Sequence, residues 1–206
     1  MKKVTLLFLF FTLFSFSSIG QIMALKGKVK IKRDKKLFLA FNGMNILEKD
    51  EIITASNTRT QIILKDETII TIGSNSSFSF KKFHFDNRKN SILKMHAKRG
   101  FFRSITGKIG KLAPQRFTVE TSSATIGIRG TDFSVRIQEE IGLYSCKCYS
   151  GQIRVFLKNS VKDIYAGEVF SFKLTALEKG SYYNNQNLYE MNLNDLLEIK
   201  QVINLK

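Results

Sequence analysis

Two histidines and two cysteines, His84, His96, Cys146 and Cys148, are the side chains best suited to covalent or metal chemistry in this sequence. His84 stands between Phe83 and Phe85 with Asp86 two residues on, so a distant serine could complete a Ser-His-Asp relay. No nucleophile elbow accompanies it. All four side chains together could ligate zinc, yet neither their spacing nor the local turns match a known ligand pattern. The simpler reading makes both histidines surface or strand-edge residues. The chain therefore reads as a non-enzyme, with no catalytic residue, metal or cofactor expected.

Cys146 and Cys148 are separated by one residue. On an extended strand they share a face, with Cα atoms about 6.5–7 Å apart, at the edge of unstrained disulfide geometry. A bridge between them would be strained and easily reduced. The pair is a candidate redox or partner-bonding site, and the alternative is two small apolar residues filling one side of a sheet.

Six cations, Lys98, Arg99, Arg103, Lys108, Lys111 and Arg116, fall in one stretch with no acidic residue among them. Gly100, Gly107 and Gly110 suggest a mobile loop, and Phe101 and Phe102 offer apolar anchors. Lys98–Arg116 is thus the candidate interaction loop for an anionic partner; a merely solvated basic loop is the alternative. The whole chain is basic, with 33 Lys and Arg against 17 Asp and Glu, a formal charge of +16. Such an excess attracts anionic partners.

The N-terminus suggests where those partners would be met. Lys2 and Lys3 precede an apolar run from Val4 to Phe16, followed by Ser17, Ser18, Ile19 and Gly20. That run suits a signal peptide and is short of the roughly 20 residues a spanning helix needs. Cleavage is expected before Gln21, releasing the chain into the periplasm; an uncleaved inner-membrane anchor is the alternative. Envelope proteins, anionic glycans and lipid head groups are then the expected partners, and nucleic acid is excluded by address.

The remaining sequence reads as one all-β domain over residues 21–180. Two-residue alternation marks strands at Lys26–Lys32, Gln61–Leu64, Thr68–Ile72, Ser77–Phe80, Phe117–Val119, Ala124–Ile128, Phe133–Ile137, Ile153–Phe156 and Val169–Phe172. Turn residues punctuate them at Asn42-Gly43, Lys65-Asp66-Glu67, Gly73-Ser74-Asn75, Gly130, Gly151 and Ala166-Gly167. There is also an internal echo: Gly27-Lys-Val-Lys-Ile31 followed by Gly43 parallels Gly151-Gln-Ile-Arg-Val155 followed by Gly167. Repeated short strands that must stack to bury a face suggest a twisted double-layered or solenoid-like architecture. Only residues 181–206 change period: after a polar link, Asn192 can cap a short amphipathic helix carrying Leu193, Leu196, Leu197, Ile199, Val202 and Ile203.

The most specific segment is Phe117–Val135, containing Thr121, Ala124, Arg129, Gly130, Thr131, Asp132 and Phe133. Before it run Gly27, Val29, Gly43, Asp50, Ile52, Thr54, Ile62, Leu64, Asp66, Thr68, Ile70, Ile72, Gly73, Ser76, Phe78 and Phe80, and after it Gly151 and Gly167. In type and order these residues resemble the FecR domain family, with Glu67 standing where that family usually has Gly. Read physically, Gly130 permits a turn or bulge, Thr131 and Asp132 can bond nearby amides, and Phe133 re-enters the core, so the motif is structural. The resemblance implies a periplasmic β-domain that meets other envelope proteins or glycans. It does not extend to sigma-factor control, because the cytoplasmic and transmembrane segments of the regulators have no counterpart. The expected function is a protein-interaction or sensing module of the cell envelope. A binder of anionic glycan or lipid head groups is the alternative, and a hydrolytic or redox enzyme a remote one.

Overall fold

The computed structural model describes residues 17–157 and 160–173. Most of the expected leader and the whole of the expected C-terminal helix lie outside them. In chain order the strands are β1 (Ser18–Lys26), β2 (Val29–Arg33), β3 (Lys36–Leu39), β4 (Asn45–Leu47), β5 (Glu51–Thr54), β6 (Arg59–Leu64), β7 (Ile69–Ile72), β8 (Ser77–His84), β9 (Ile92–Ile105), β10 (Phe117–Glu120), β11 (Thr125–Gln138), β12 (Leu143–Phe156), β13 (Val161–Tyr165) and β14 (Val169–Lys173). One short helix, α1 (Lys108–Leu112), and two 3-10 turns are the helical elements among the described residues.

All fourteen strands join in one open hydrogen-bonded network, and the pairings divide it into two ladders. The first runs β3-β2-β5-β8-β9-β10-β11-β12-β13 and uses the first part of β9 and β11 and the last part of β12. The second runs β4-β1-β6-β7-β9-β11-β12-β14 and uses the other parts of those three long strands. Each passage of chain thus turns a corner from one ladder into the other. In spatial order the corners include Gly43, Gly27, Asn57, Asn75, Gly100, Gly130, Gly151 and Gly167, with Lys49 turning the β4–β5 passage, and every one has positive φ. Gly and Asn enter that region at least steric cost.

Alternation along the strands turns one face of each ladder inward. Ile31, Ile52, Phe78, Phe80, Leu93 and Ile153 from the first ladder and Ile22, Ile62, Ile70, Phe102, Phe133 and Cys146 from the second share a single core. Aromatic contacts tie the ladders together: Phe80 lies 5.5 Å from Phe78, Phe78 5.1 Å from Phe102, and Phe102 5.9 Å from Phe133.

The internal echo is a structural repeat. In the first copy β1, Gly27, β2, β3, Gly43 and β4 follow one another, and Gly43 N–H donates to Ile22 O while Ile22 N–H donates to Met44 O. In the second, β12, Gly151, β13, Gly167 and β14 do the same, with Gly167 N–H donating to Cys148 O and Cys148 N–H to Glu168 O. The two copies close opposite ends of the network.

Two expectations need correction. Gly130 and Gly151 do not separate strands: each sits inside one 14-residue strand and bends it, with a register shift between Arg129 and Asp132. The stretch Lys98–Arg116 is not a loop either. Lys98–Ile105 is the second half of β9, and the remainder carries α1 and a 3-10 turn. That segment is a crossover, which returns the chain from the second ladder to the first and leaves β10 parallel to β9.

Candidate interaction surface

At the corner of β11 the backbone and side chains of the Arg129–Phe133 motif are held from several directions. Thr131 N–H donates to Thr106 Oγ1 at 2.8 Å, and Thr106 N–H returns a bond to Thr131 O at 3.0 Å. Phe133 is fully buried. Asp132 faces outward and accepts from Arg103 Nε and Nη2 at 2.8 and 2.6 Å, a paired fork. Arg129 is exposed. Four of the five motif residues therefore build the corner.

Asp66 and Thr68 hold the crossover. The Thr68 hydroxyl donates to Asp66 Oδ2 at 2.7 Å, Thr68 Oγ1 accepts from Gly107 N–H at 3.0 Å, and Asp66 accepts from Lys108 N–H and Ile109 N–H. Burial pushes the Asp66 carboxyl above its ordinary value, opposed by the bonds from Thr68 and Ile109. Between them Glu67 adopts φ +69°, which accounts for a preference for Gly at this turn.

The expected loop residues are dispersed by this arrangement. Phe102 is in the core, Arg103 is committed to Asp132, and Lys108 lies 2.5 Å from Glu67. Lys111 lies on α1, Arg116 in the 3-10 turn, and Lys98 on the first ladder's outer face. Only Arg99 and Phe101 remain together, and the second ladder supplies the partners that sequence reading missed. Arg136, opposite Phe101 in the β9–β11 register, sets its guanidinium 5.1 Å from the Phe101 ring centroid. Arg103 stacks likewise on Tyr149 at 4.5 Å, with Lys147 Nζ 5.0 Å from the same ring. Strict alternation in Phe133–Ile137 already placed Arg136 outward and could have revealed it.

Arg99, Phe101 and Arg136 line a shallow cavity of about 220 Å³ completed by Ser74, Asn75 and Glu140. Among the described residues neither Arg99 nor Arg136 has a carboxylate within 4.0 Å. Two guanidinium forks, one held in place over an aromatic ring, can receive a planar anion such as a carboxylate.

The residues with reactive chemistry are not assembled. His84 Nε2 lies 3.5 Å from Asp86 Oδ2, but Ser91 donates to that same Asp86, so the aspartate stands between serine and histidine. His96 lies on the first ladder, lowered from its ordinary value by burial and then by Lys81. Cys146 and Cys148 are free and buried on the core side of β12. Burial raises both thiols, Cys146 to about 12, the opposite of what a reactive thiolate needs. No group of three or more His, Cys, Asp or Glu suited to a metal occurs among the described residues.

The family model described as FecR protein matches residues 50–154, just over half of the 206-residue chain. The chain belongs to the FecR family. The match covers Asp50, the Asp66–Thr68 turn and the Arg129–Phe133 corner, the residues that position the second ladder. No curated protein matches the chain. Two solved structures of a protein from Parabacteroides distasonis, provisionally assigned as an anti-sigma factor, are similar to this FecR chain. One shares 19% identity at a TM-score of 0.50, the other 18% at 0.48, and each comparison covers 60% of this chain and 54% of the other. The first likeness establishes fold alone. The chain spans about half the length of those proteins.

Proposed function

We propose that this FecR protein is an exported, non-enzymatic interaction or sensing module of the bacterial envelope, and that it engages a protein partner through the outer face of β9, β11 and β12. The leader-like N-terminus supports the periplasmic address, and family membership supports a regulatory or sensing role. The observation that carries the reading is the unpaired Arg99 and Arg136 beside Phe101, ordered by cross-strand pairing and free of carboxylate partners among the described residues. Charge complementarity of this kind sets partner choice and encounter rate.

Cross-linking of the tagged full chain in its native envelope, followed by mass spectrometry, tests it. One dominant protein partner that is lost from an Arg99→Ala, Arg136→Ala double variant is the expected result. No specific capture, or capture indifferent to the double variant, defeats the proposal.

A second reading rests on a different observation. Lys82 and Lys94 are direct cross-strand neighbours on the first ladder, with Lys81 and Lys98 close in sequence. Like charges directly opposite cost stability unless an anion lies between them. Salt-sensitive retention of the protein on an anionic polysaccharide, lost in Lys82→Gln and Lys94→Gln, would favour this reading.

A further inference from the structure

β3 is an edge strand, paired only with β2 among the described strands. Natural edges are guarded by short length, charge, proline or a bulge. β4, the matching edge of the second ladder, is three residues long, and β13 at the far end carries Lys162 and Asp163. β3 is itself four residues long and opens with Lys36, but Leu37–Leu39 carries no charge, proline or bulge. Leu37, Phe38, Leu39 and, just beyond, Phe41 are 57%, 39%, 66% and 60% exposed, the densest group of exposed apolar side chains described.

The ladder geometry leaves this edge competent to pair. Ala40 N–H donates to Val29 O, and the register pairs Ile31 with Phe38 and Arg33 with Lys36. Antiparallel alternation then sends the N–H groups of Phe38 and Lys36 toward β2 and those of Leu37 and Leu39 outward. Lys30 and Lys32 lie directly beside Leu39 and Leu37, with Lys28, Lys35 and Lys36 close by. Two acidic groups accompany them: Asp34 in the hairpin, and Glu51, 3.8 Å from Lys32.

We infer that β3 receives an extended segment of a partner protein in which apolar and acidic residues alternate, added as a further strand to the first ladder. The backbone supplies outward donors and acceptors, and strand alternation sets the segment's carboxylates on the outer face, toward Lys30 and Lys32 across Leu39 and Leu37, and its apolar side chains on the inner face beside Phe38. A second copy of the chain fits less well, because it would bring two such lysine clusters together on proteins of formal charge +16. This surface is separate from the Arg99–Arg136 cavity, so its test stands apart from the cross-linking experiment.

The probe is a fluorescein-labelled heptapeptide alternating Glu and Val, titrated into the full chain by anisotropy. Saturable binding is expected, weakened about tenfold or more in Leu39→Pro, which removes an outward N–H without touching the β2–β3 ladder. Leu39→Glu, which keeps that N–H but repels the peptide, should weaken binding as well and serves if the proline variant fails to fold. A Lys-Val peptide should not bind. Absence of binding, equal binding by either variant, or equal binding of the Lys-Val peptide overturns the inference. So does a self-dimer that Leu39→Pro dissociates, or binding to phosphatidylglycerol vesicles without binding to the peptide; these would assign the edge to a second copy or to a lipid surface.

Discussion

Gly151 rests against Gly130 so closely that a Cβ on Gly151 would stand 2.6 Å from the Gly130 carbonyl oxygen. Both have positive φ, and together they bend the paired 14-residue strands β11 and β12 into the second ladder. Gly167 has a similar φ, but a Cβ there would meet nothing within 4 Å. Gly167→Ala is therefore expected to cost about 1–2 kcal/mol, the left-handed backbone penalty alone. Gly151→Ala adds a backbone overlap and should cost about 3 kcal/mol or more. Urea midpoints of the two variants measure the difference, and equal losses would mean that the close approach is relieved elsewhere.

Arg33 and Asp50 give an asymmetric pair. Arg33 Nε and Nη2 each donate to Asp50 at 2.7 Å, and Leu47 N–H donates to the same carboxylate. The Asp50 side chain has no exposed surface, whereas that of Arg33 is 26% exposed. Removing Arg33 strands a buried anion, and removing Asp50 leaves a cation that can turn to water. Arg33→Ala should cost about 3–5 kcal/mol and Asp50→Ala about 2 kcal/mol. Denaturant unfolding of both variants checks the order; the reverse order would place the burden on the loop that Asp50 fixes.

Asp66 predicts a pH dependence opposite to that of an ordinary paired carboxylate. Its folded pKa is raised by burial above the ordinary 3.8, so the folded state binds the proton more tightly than the unfolded chain does. Its contribution is fully present below the unfolded pKa and is lost as pH rises through the folded one. Wild type should hold its largest advantage over Asp66→Asn below about pH 4, and the gap should narrow as pH rises toward neutrality. Urea midpoints of both proteins across that range provide the measurement. A gap that widens with pH would show that the bonds from Thr68 and Ile109 outweigh desolvation.

β1 begins at Ser18, upstream of the expected cleavage point. Ile19 is 4% exposed, its carbonyl accepts from Lys65 N–H at 2.9 Å, and Gly20 pairs with both Ile46 and Leu64. Cleavage before Gln21 would remove these contacts from the edge of the second ladder. If the leader is cut, the mature chain should begin no later than Ser18, with Ser15 and Ser17 as the small residues before the cut. N-terminal sequencing of exported protein decides this, and a start at Gln21 would show that the strand tolerates losing its first three residues.

By itself the sequence determined the all-β class, most core strands and the repeat around Gly27 and Gly151. These follow from local signals: side-chain alternation with period two, and residues suited to a left-handed backbone. Tertiary structure decided what those glycines do. A turn and a mid-strand corner have the same local demand, and only pairing partners on both sides distinguish Gly130 within β11 from a hairpin tip. It also decided the fate of the basic stretch: Phe102 and Arg103 are adjacent in sequence, yet strand alternation buries one and turns the other toward Asp132, 29 residues away. The cluster of Arg99, Phe101 and Arg136 likewise exists only because β9 and β11 align, and that register is set by the shared core rather than by either segment alone.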